Sequence, residues 1–200
     1  MKIDDIMKVS PVIPVLVVDD PAQAQPLARA LVAGGLRVLE VTLRTPAALD
    51  VMTEMMKVDG AIVGAGTVVN ATQAMQVIDA GAEFIVSPGL TEKLAEPIID
   101  ANVPFLPGIA NAADIMRGLA LGLDHFKFFP AEASGGLKAL KALAAPFGQC
   151  RFCPTGGITE ASAPEWLAFE PVLCVGGSWV ASGSAQEVEA KARAASQLKR

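Results

Sequence analysis

Lys127 stands in the run His125-Phe126-Lys127-Phe128-Phe129-Pro130. An ammonium among phenylalanines costs desolvation energy, so it needs a partner or a purpose. A free lysine side chain, with a pKa of about 10.4, supplies only about one neutral amine in 10³ at neutral pH. Burial in apolar surroundings favours the neutral form, and a drop of about three units turns a lysine into a nucleophile near pH 7. The plainer alternative is a stem in the core with its head snorkelling to a strand end. Glu40, in Leu39-Glu40-Val41, poses the same problem with the opposite charge. A carboxylate inside an apolar strand calls for a cation nearby, and Arg44 and Lys127 are the candidates. A structural ion pair that merely fills the core is the alternative.

Two glycine pairs add a third kind of chemistry. Thr155-Gly156-Gly157 and Gly176-Gly177-Ser178 each close an apolar run. Such loops let backbone N–H groups approach phosphate oxygens, and a hydroxyl adds a hydrogen bond. Two tight turns needing positive φ are the alternative reading. Taken together, a buried lysine, a buried carboxylate and a phosphate pocket suit carbon–carbon bond chemistry without a metal. The lysine condenses with a ketone, and the iminium accepts the electrons of a breaking bond. The carboxylate shuttles protons. Arg44 offers a bidentate site for a substrate carboxylate. A phosphorylated keto acid satisfies every part.

The elements that must position these residues repeat along the chain. Apolar runs fall at Val12–Val18, Arg37–Leu43, Ala61–Thr67, Phe84–Pro88, Val103–Ile109, His125–Ala131, Arg151–Ile158 and Val172–Val180. Helical spacing fills Pro21–Ala33, Pro46–Lys57, Ala71–Ala80, Glu92–Ala101, Ala112–Leu121, Leu137–Ala145, Ala161–Ala168 and Gln186–Leu198. Asp20-Pro21, Thr45-Pro46, Asn70, Thr91 and Asn111 read as helix starts. A short amphipathic helix is expected over Met1 to Val9, with Ile3, Ile6 and Met7 on one side. Strand–helix alternation means parallel strands with crossover helices. Eight units predict an α/β chain folded as a closed (β/α)8 TIM barrel, one domain over residues 1–200, with an open doubly wound sheet as the alternative.

Parity favours the barrel. Val38, Glu40, Thr42 and Arg44 share one face of the second run, and Leu39, Val41 and Leu43 share the other. The aliphatic set suits the layer under the helices, so the polar set points into the barrel, toward its mouth. In the sixth run His125, Lys127 and Phe129 point inward, while Phe126 and Phe128 pack under helices. Barrel closure brings the carboxyl ends of strands 2, 6, 7 and 8 to one mouth, where active sites of this fold lie.

Bulk composition narrows the classes. Of the 200 residues, 52% are hydrophobic, which fits strands buried on both faces. The longest uncharged stretches, such as Gly60 to Ile78, are broken by polar residues, so none reads as a membrane span. A net charge of −5 with scattered basic residues argues against a nucleic-acid surface. The three cysteines suggest reduced thiols and a cytoplasmic setting. Cys150 and Cys153 have C-x-x-C spacing but begin a strand, which disfavours redox chemistry, and a single histidine, His125, disfavours a structural metal site. His125 is expected to be a packed core residue.

At this point the motifs resemble a known family. Glu40-Val41-Thr42-Leu43-Arg44, Gly64-Ala65-Gly66-Thr67, Ser87-Pro88-Gly89, Lys127-Phe128-Phe129-Pro130-Ala131-Glu132, Pro154-Thr155-Gly156-Gly157-Ile158 and Gly176-Gly177-Ser178-Trp179 resemble those of the 2-keto-3-deoxy-6-phosphogluconate aldolases. These belong to the KDPG/KHG class I aldolases, the second name standing for 4-hydroxy-2-oxoglutarate. The resemblance runs from about Pro11 to Val180. It implies that Lys127 forms the Schiff base and that Glu40 is the general acid/base. It implies that Arg44 and Thr67 bind the pyruvate-end carboxylate, and that Pro88 and Phe129 wall the pocket. Gly156, Gly157, Gly176, Gly177 and Ser178 would hold the phosphate, with Thr155 near the C4 hydroxyl. The products would be pyruvate and glyceraldehyde 3-phosphate, with 4-hydroxy-2-oxoglutarate a second substrate. The family is metal-free, needs no cofactor, and is usually a cytoplasmic homotrimer without nucleic-acid or membrane partners.

A branch acting on the galacto epimer tends to carry an arginine after the first strand and an aliphatic residue at the Thr155 position. Here Val17-Val18-Asp19-Asp20 and Thr155 favour the gluco epimer. A phosphosugar isomerase or epimerase with Glu40 as base remains a rival, as does a metabolite-binding barrel whose charged lumen is structural.

Overall fold

The computed structural model describes residues 1–200. The apolar runs form short parallel strands: β1 (Val12–Leu16), β2 (Val38–Thr42), β3 (Ile62–Gly66), β4 (Ile85–Val86), β5 (Phe105–Leu106), β6 (Gly108–Ile109), β7 (His125–Phe128), β8 (Arg151–Pro154) and β9 (Val175–Gly177). Helices fill the intervals: α1 (Ile3–Val9), α2 (Ala24–Ala33), α3 (Ala48–Met55), α4 (Ala71–Asp79), α5 (Glu92–Asp100), α6 (Ala112–Ala120), α7 (Gly136–Ala144), α8 (Ala163–Leu167) and α9 (Ala185–Ser196). Three of the five expected starts cap α-helices, while Asp20 caps a 3-10 turn over Pro21–Gln23 and at Thr45-Pro46 the helix begins only at Ala48, after an Ala47 with no side-chain cap. Asn70, Thr91 and Asn111 accept from the backbone N–H groups of Gln73, Leu94 and Asp114, satisfying donors the helix itself leaves free. No helix is long and apolar enough to cross a membrane.

The strands form an α/β arrangement of two parallel groups, ordered β5-β4-β3-β2-β1-β9 and β6-β7-β8. The groups meet at two seams. At the first, only Pro107 separates β5 from β6. Proline has no N–H to continue the ladder, so the single run Val103–Ile109 becomes two short strands. The Pro107 carbonyl still accepts from Lys127 N–H at 2.8 Å. At the second seam the ladder thins to isolated parallel bridges, Phe152 with Val172 and Thr155 with Gly176. The run Val172–Val180 therefore yields a regular strand only over Val175–Gly177.

Side-chain parity divides the core as expected. Leu39, Val41, Val63, Ala65, Phe126 and Phe128 join the large cluster beneath the helices. Val38, Ile62, Phe84, Leu106 and Cys153 join a smaller inner cluster that also takes Ile6 and Met7 from α1. The amino-terminal helix thus covers the amino-terminal end of the strands with its apolar side.

His125, expected to be packed among apolar groups, instead ties α1 down. Its Nε2 lies 3.1 Å from an Asp4 oxygen and its Nδ1 2.6 Å from an Asp124 oxygen. Standing first in β7, it meets the helix below the strand ends rather than the aliphatic layer. At the far end of α1, the Arg200 guanidinium donates to the Lys8 carbonyl at 3.0 Å.

Candidate active site

Glu40 and Lys127 are the only charged residues of the chain that are buried, at 3% and 4% exposure. They lie 87 positions apart in sequence, yet Lys127 Nζ donates to Glu40 Oε1 at 3.0 Å. Strand geometry brings them together. Glu40 is the inward residue after Val38 in β2, and Lys127 the inward residue after His125 in β7. Glu40 sits one inward position above Val38 of the inner cluster, and Lys127 stands in register with Cys153 of the same cluster. The ammonium also lies 5.3 Å from the centroid of the half-buried Phe129 ring. The contact is the one side-chain hydrogen bond that either residue makes.

Arg44 lies two residues past the end of the strand that carries Glu40. The sequence puts it on the inward face of the strand with Glu40, but β2 ends at Thr42 and the chain turns. Arg44 is exposed, its N–H donating to the Thr42 carbonyl at 2.8 Å, and its guanidinium has no partner in the chain. Glu40 therefore finds its cation in Lys127 alone. The turn is fixed by Thr42 and Thr45, whose hydroxyls donate to the carbonyls of Leu16 and Val18 at 2.8 and 3.0 Å. Arg44 is thereby set just beyond the carboxyl end of β2.

Thr67 follows β3 directly and takes a φ of 58°. A β-branched residue in the left-handed region is strained, and such strain gathers at sites where the surroundings dictate the conformation. Pro88 is half-buried after β4, in a loop braced by the Ser87 hydroxyl donating to the Gly89 carbonyl at 2.7 Å. That loop lies against β6 so closely that a Cβ at Gly108 would meet Pro88 backbone at 2.2 Å. Beyond β7 the Phe129-Pro130 peptide is cis.

The two glycine pairs differ from one another. Gly156 and Gly157 adopt φ of 101° and 81°, so the turn after β8 requires glycine on backbone grounds. It is held to the end of β7 by Ala131 N–H donating to Thr155 O at 2.8 Å and Glu132 N–H to Gly156 O at 3.1 Å. Gly176 and Gly177 lie within β9 and instead leave room for this chain's own side chains. A Cβ at Gly176 would stand 2.2 Å from Thr155 Oγ1, and one at Gly177 would strike the Trp179 ring. Thr155 is buried, and its hydroxyl lies 3.8 Å from Cys153 Sγ. Ser178 is exposed directly after β9.

Sequence reading missed Glu132. Its Oε1 accepts from Trp166 Nε1 at 3.3 Å, and its stem fills the space a Cβ at Gly157 would need. It braces the glycine turn, a role legible only once the loops after β7 and β8 are adjacent.

All three thiols are free and buried. Cys150 belongs to the outer core and Cys153 to the inner one, so the C-x-x-C thiols face opposite sides. Burial, with a hydrogen bond to Cys153, raises the Cys174 thiol well above its ordinary pKa. No group of three or more His, Cys, Asp or Glu side chains is placed to hold a metal ion. A concavity of about 1030 Å³ lies at the opposite end, lined by α1 together with Ile62, Glu83, Asn102 and Phe105. None of the expected catalytic or substrate-binding residues lines it.

Known proteins share this layout. The profile of the family described as KDPG and KHG aldolase matches residues 3–195. A curated 2-dehydro-3-deoxy-phosphogluconate aldolase of Zymomonas mobilis is 57% identical over 99% of this chain and 97% of its own. The crystal structure of the 2-keto-3-deoxy-6-phosphogluconate aldolase of Zymomonas mobilis with 3-phosphoglycerate superposes with a TM-score of 0.97, at 57% identity, over 99% of this chain and 96% of that one. A KDPG aldolase from Legionella pneumophila, with pyruvate captured at low pH as a covalent carbinolamine intermediate, has a TM-score of 0.95 at 41% identity, over 98% of this chain and 99% of that one. A buried lysine–glutamate pair set under glycine turns, in a chain matched by this profile over nearly its whole length, places the protein in the KDPG and KHG aldolase family.

Proposed function

We propose that the chain cleaves 2-keto-3-deoxy-6-phosphogluconate to pyruvate and D-glyceraldehyde 3-phosphate through a Schiff base on Lys127. The observation that carries this reading is the 3.0 Å contact between Lys127 Nζ and Glu40 Oε1, both almost wholly buried. In this reading the eight strand–helix units close into one (β/α)8 barrel, the bridges beside β9 and the Pro107 contact serving as its seams.

The chemistry follows from that contact. Lys127 passes a proton to Glu40 and its free amine adds to the substrate C2 ketone. Glu40 returns the proton to the carbinolamine oxygen, water leaves, and an iminium forms. A base removes the C4 hydroxyl proton, and the C3–C4 bond breaks. Its electron pair enters the iminium, giving an enamine, and the aldehyde departs with the phosphate. The enamine is protonated at C3, and water hydrolyses the imine to pyruvate and the free amine. Glu40, directly or through one water, carries these protons.

The rim residues take the remaining groups. Arg44 and Thr67 receive the C1 carboxylate, Arg44 because its guanidinium is unpaired at the end of β2. Pro88 and Phe129 flank the methylene carbon. Gly156, Gly157 and Ser178 present N–H groups and a hydroxyl to the phosphate. Gly176 and Gly177 contribute backbone only. Thr155, fixed against Gly176, faces the C4 hydroxyl and favours the gluco epimer. The smaller 4-hydroxy-2-oxoglutarate fits the same carboxylate and amine groups and would yield pyruvate and glyoxylate.

A lactate-dehydrogenase-coupled assay with both epimeric substrates tests the proposal. We expect pyruvate release with excess chelator present, faster on the gluco epimer. Lys127→Ala should abolish it, and Glu40→Gln should slow it by about two to four orders of magnitude. Full activity in Lys127→Ala, or a change under about tenfold in Glu40→Gln, defeats the assignment.

A further inference from the structure

Glu40 and Gly66 lie on neighbouring strands. β2 and β3 pair with Glu40 opposite Gly64 and Thr42 opposite Gly66. The Glu40 side chain leans along its strand into the diagonal position, where a side chain on residue 66 would project. A Cβ built there would stand 2.2 Å from Glu40 Oε1, 2.6 Å from its Cγ and 2.8 Å from its Cδ. These distances fall far inside the roughly 3.5 Å of ordinary nonbonded contact. The crowded oxygen is the same Oε1 that accepts from Lys127.

We propose that Gly66 is a positioning residue for the aldolase reaction: its missing side chain is the slot that holds the Glu40 carboxylate against Lys127. This rests on the reading of Glu40 as proton carrier. Gly64 marks the contrast. It lies two residues earlier on the same face, and its empty position is taken by the Phe84 ring, with a would-be Cβ at 2.4 Å. Phe84 belongs to the inner apolar cluster, so Gly64 serves packing. Gly66 serves the polar layer directly above. Gly176 makes room for Thr155 in the same way on the far side of the sheet. An alanine at 66 must push the carboxylate by about 1 Å, and a misplacement of that size costs about 10²-fold in rate.

The test is a cycle of parent, Gly66→Ala, Glu40→Ala and the double variant, with Gly64→Ala as control. Pyruvate release gives kcat and KM. The rate at which borohydride traps pyruvate on Lys127 gives the amine chemistry alone, and thermal unfolding gives stability. In the parent background Gly66→Ala should lower kcat and the trapping rate about 10²-fold, with KM changed by less than about threefold. In the Glu40→Ala background the same substitution should change the residual trapping rate by less than about threefold, because no carboxylate is left to displace. Gly64→Ala should lower the unfolding temperature without that loss of kcat.

Equal factors in both backgrounds, or a parent variant that keeps its kcat, overturn the proposal. Should Gly66→Ala fail to fold, the double variant must fold, since its slot is empty. Failure of both overturns the slot itself. Full activity in Glu40→Ala alone is a separate result: it removes the Glu40 assignment, and the positioning role with it.

Discussion

Removing Lys127 should do two things that can be measured apart. Lys127→Met abolishes the amine and leaves the Glu40 carboxylate, 3% exposed, without its cation. No other cation forms an ion pair with Glu40. Breaking one partner of a buried pair costs about 3–5 kcal/mol, the penalty of an uncompensated charge. In a chain of this length each kcal/mol shifts the unfolding temperature by about 2–4 °C, so Lys127→Met should unfold about 6–20 °C lower. Replacing both members, as in Glu40→Gln/Lys127→Met, removes both charges from a dry layer and should recover most of that loss, since well-packed neutral replacements are often neutral or stabilising. Both variants should be inactive. The assay is thermal or denaturant unfolding at one fixed protein concentration, beside the coupled activity assay. If Lys127→Met unfolds within a degree or two of the parent, or the double variant is no more stable than the single, the pair is not the enclosed charge couple described here.

Two further expectations follow. Ser178→Ala should weaken the phosphorylated substrate more than 4-hydroxy-2-oxoglutarate, and equal effects on both would assign Ser178 to packing. Asp4 should give a pH-dependent hold on α1. The Lys8 hydrogen bond lowers its carboxyl below the usual range, burial opposes this, and His125 adds to the lowering. A depressed folded value means the stabilisation is present above the ordinary value of 3.8 and is lost as pH falls through the folded one. Asp4 and Lys8 side chains are 36% and 52% exposed, so the effect stays below about 1 kcal/mol. Asp4→Asn should unfold slightly earlier than the parent near neutral pH and converge with it in acid. A gap that persists in strong acid contradicts the carboxylate's role.

Much of this site could be read from residue order, and the exceptions share a cause. Alternation along β2 and β7 sorted Glu40 and Lys127 inward and Leu39, Val41, Phe126 and Phe128 outward, because strand parity is local. Apolar periodicity and Asn or Thr caps likewise located α4, α5 and α6 closely. Strand parity says less about Arg44, which lies two residues past Thr42 in a turn held by the Thr42 and Thr45 hydroxyls. Pro107 splits one run in two for want of a single N–H. The glycine pairs looked alike in sequence, yet only Gly156 and Gly157 need positive φ. Gly176 and Gly177 answer to Thr155 and Trp179. Gly66 carried no local signal at all, since its reason lies in the side chain of another strand. His125 read as core because nothing in its own run says that α1 folds beneath it.

The most direct test of the central claim is chemical. The protein is incubated with pyruvate and borohydride, digested, and its peptides weighed. The account predicts one reduced pyruvyl adduct, on Lys127, absent without pyruvate and strongly diminished in Glu40→Gln. An unmodified Lys127, or an adduct carried instead by an exposed lysine such as Lys138, would contradict it.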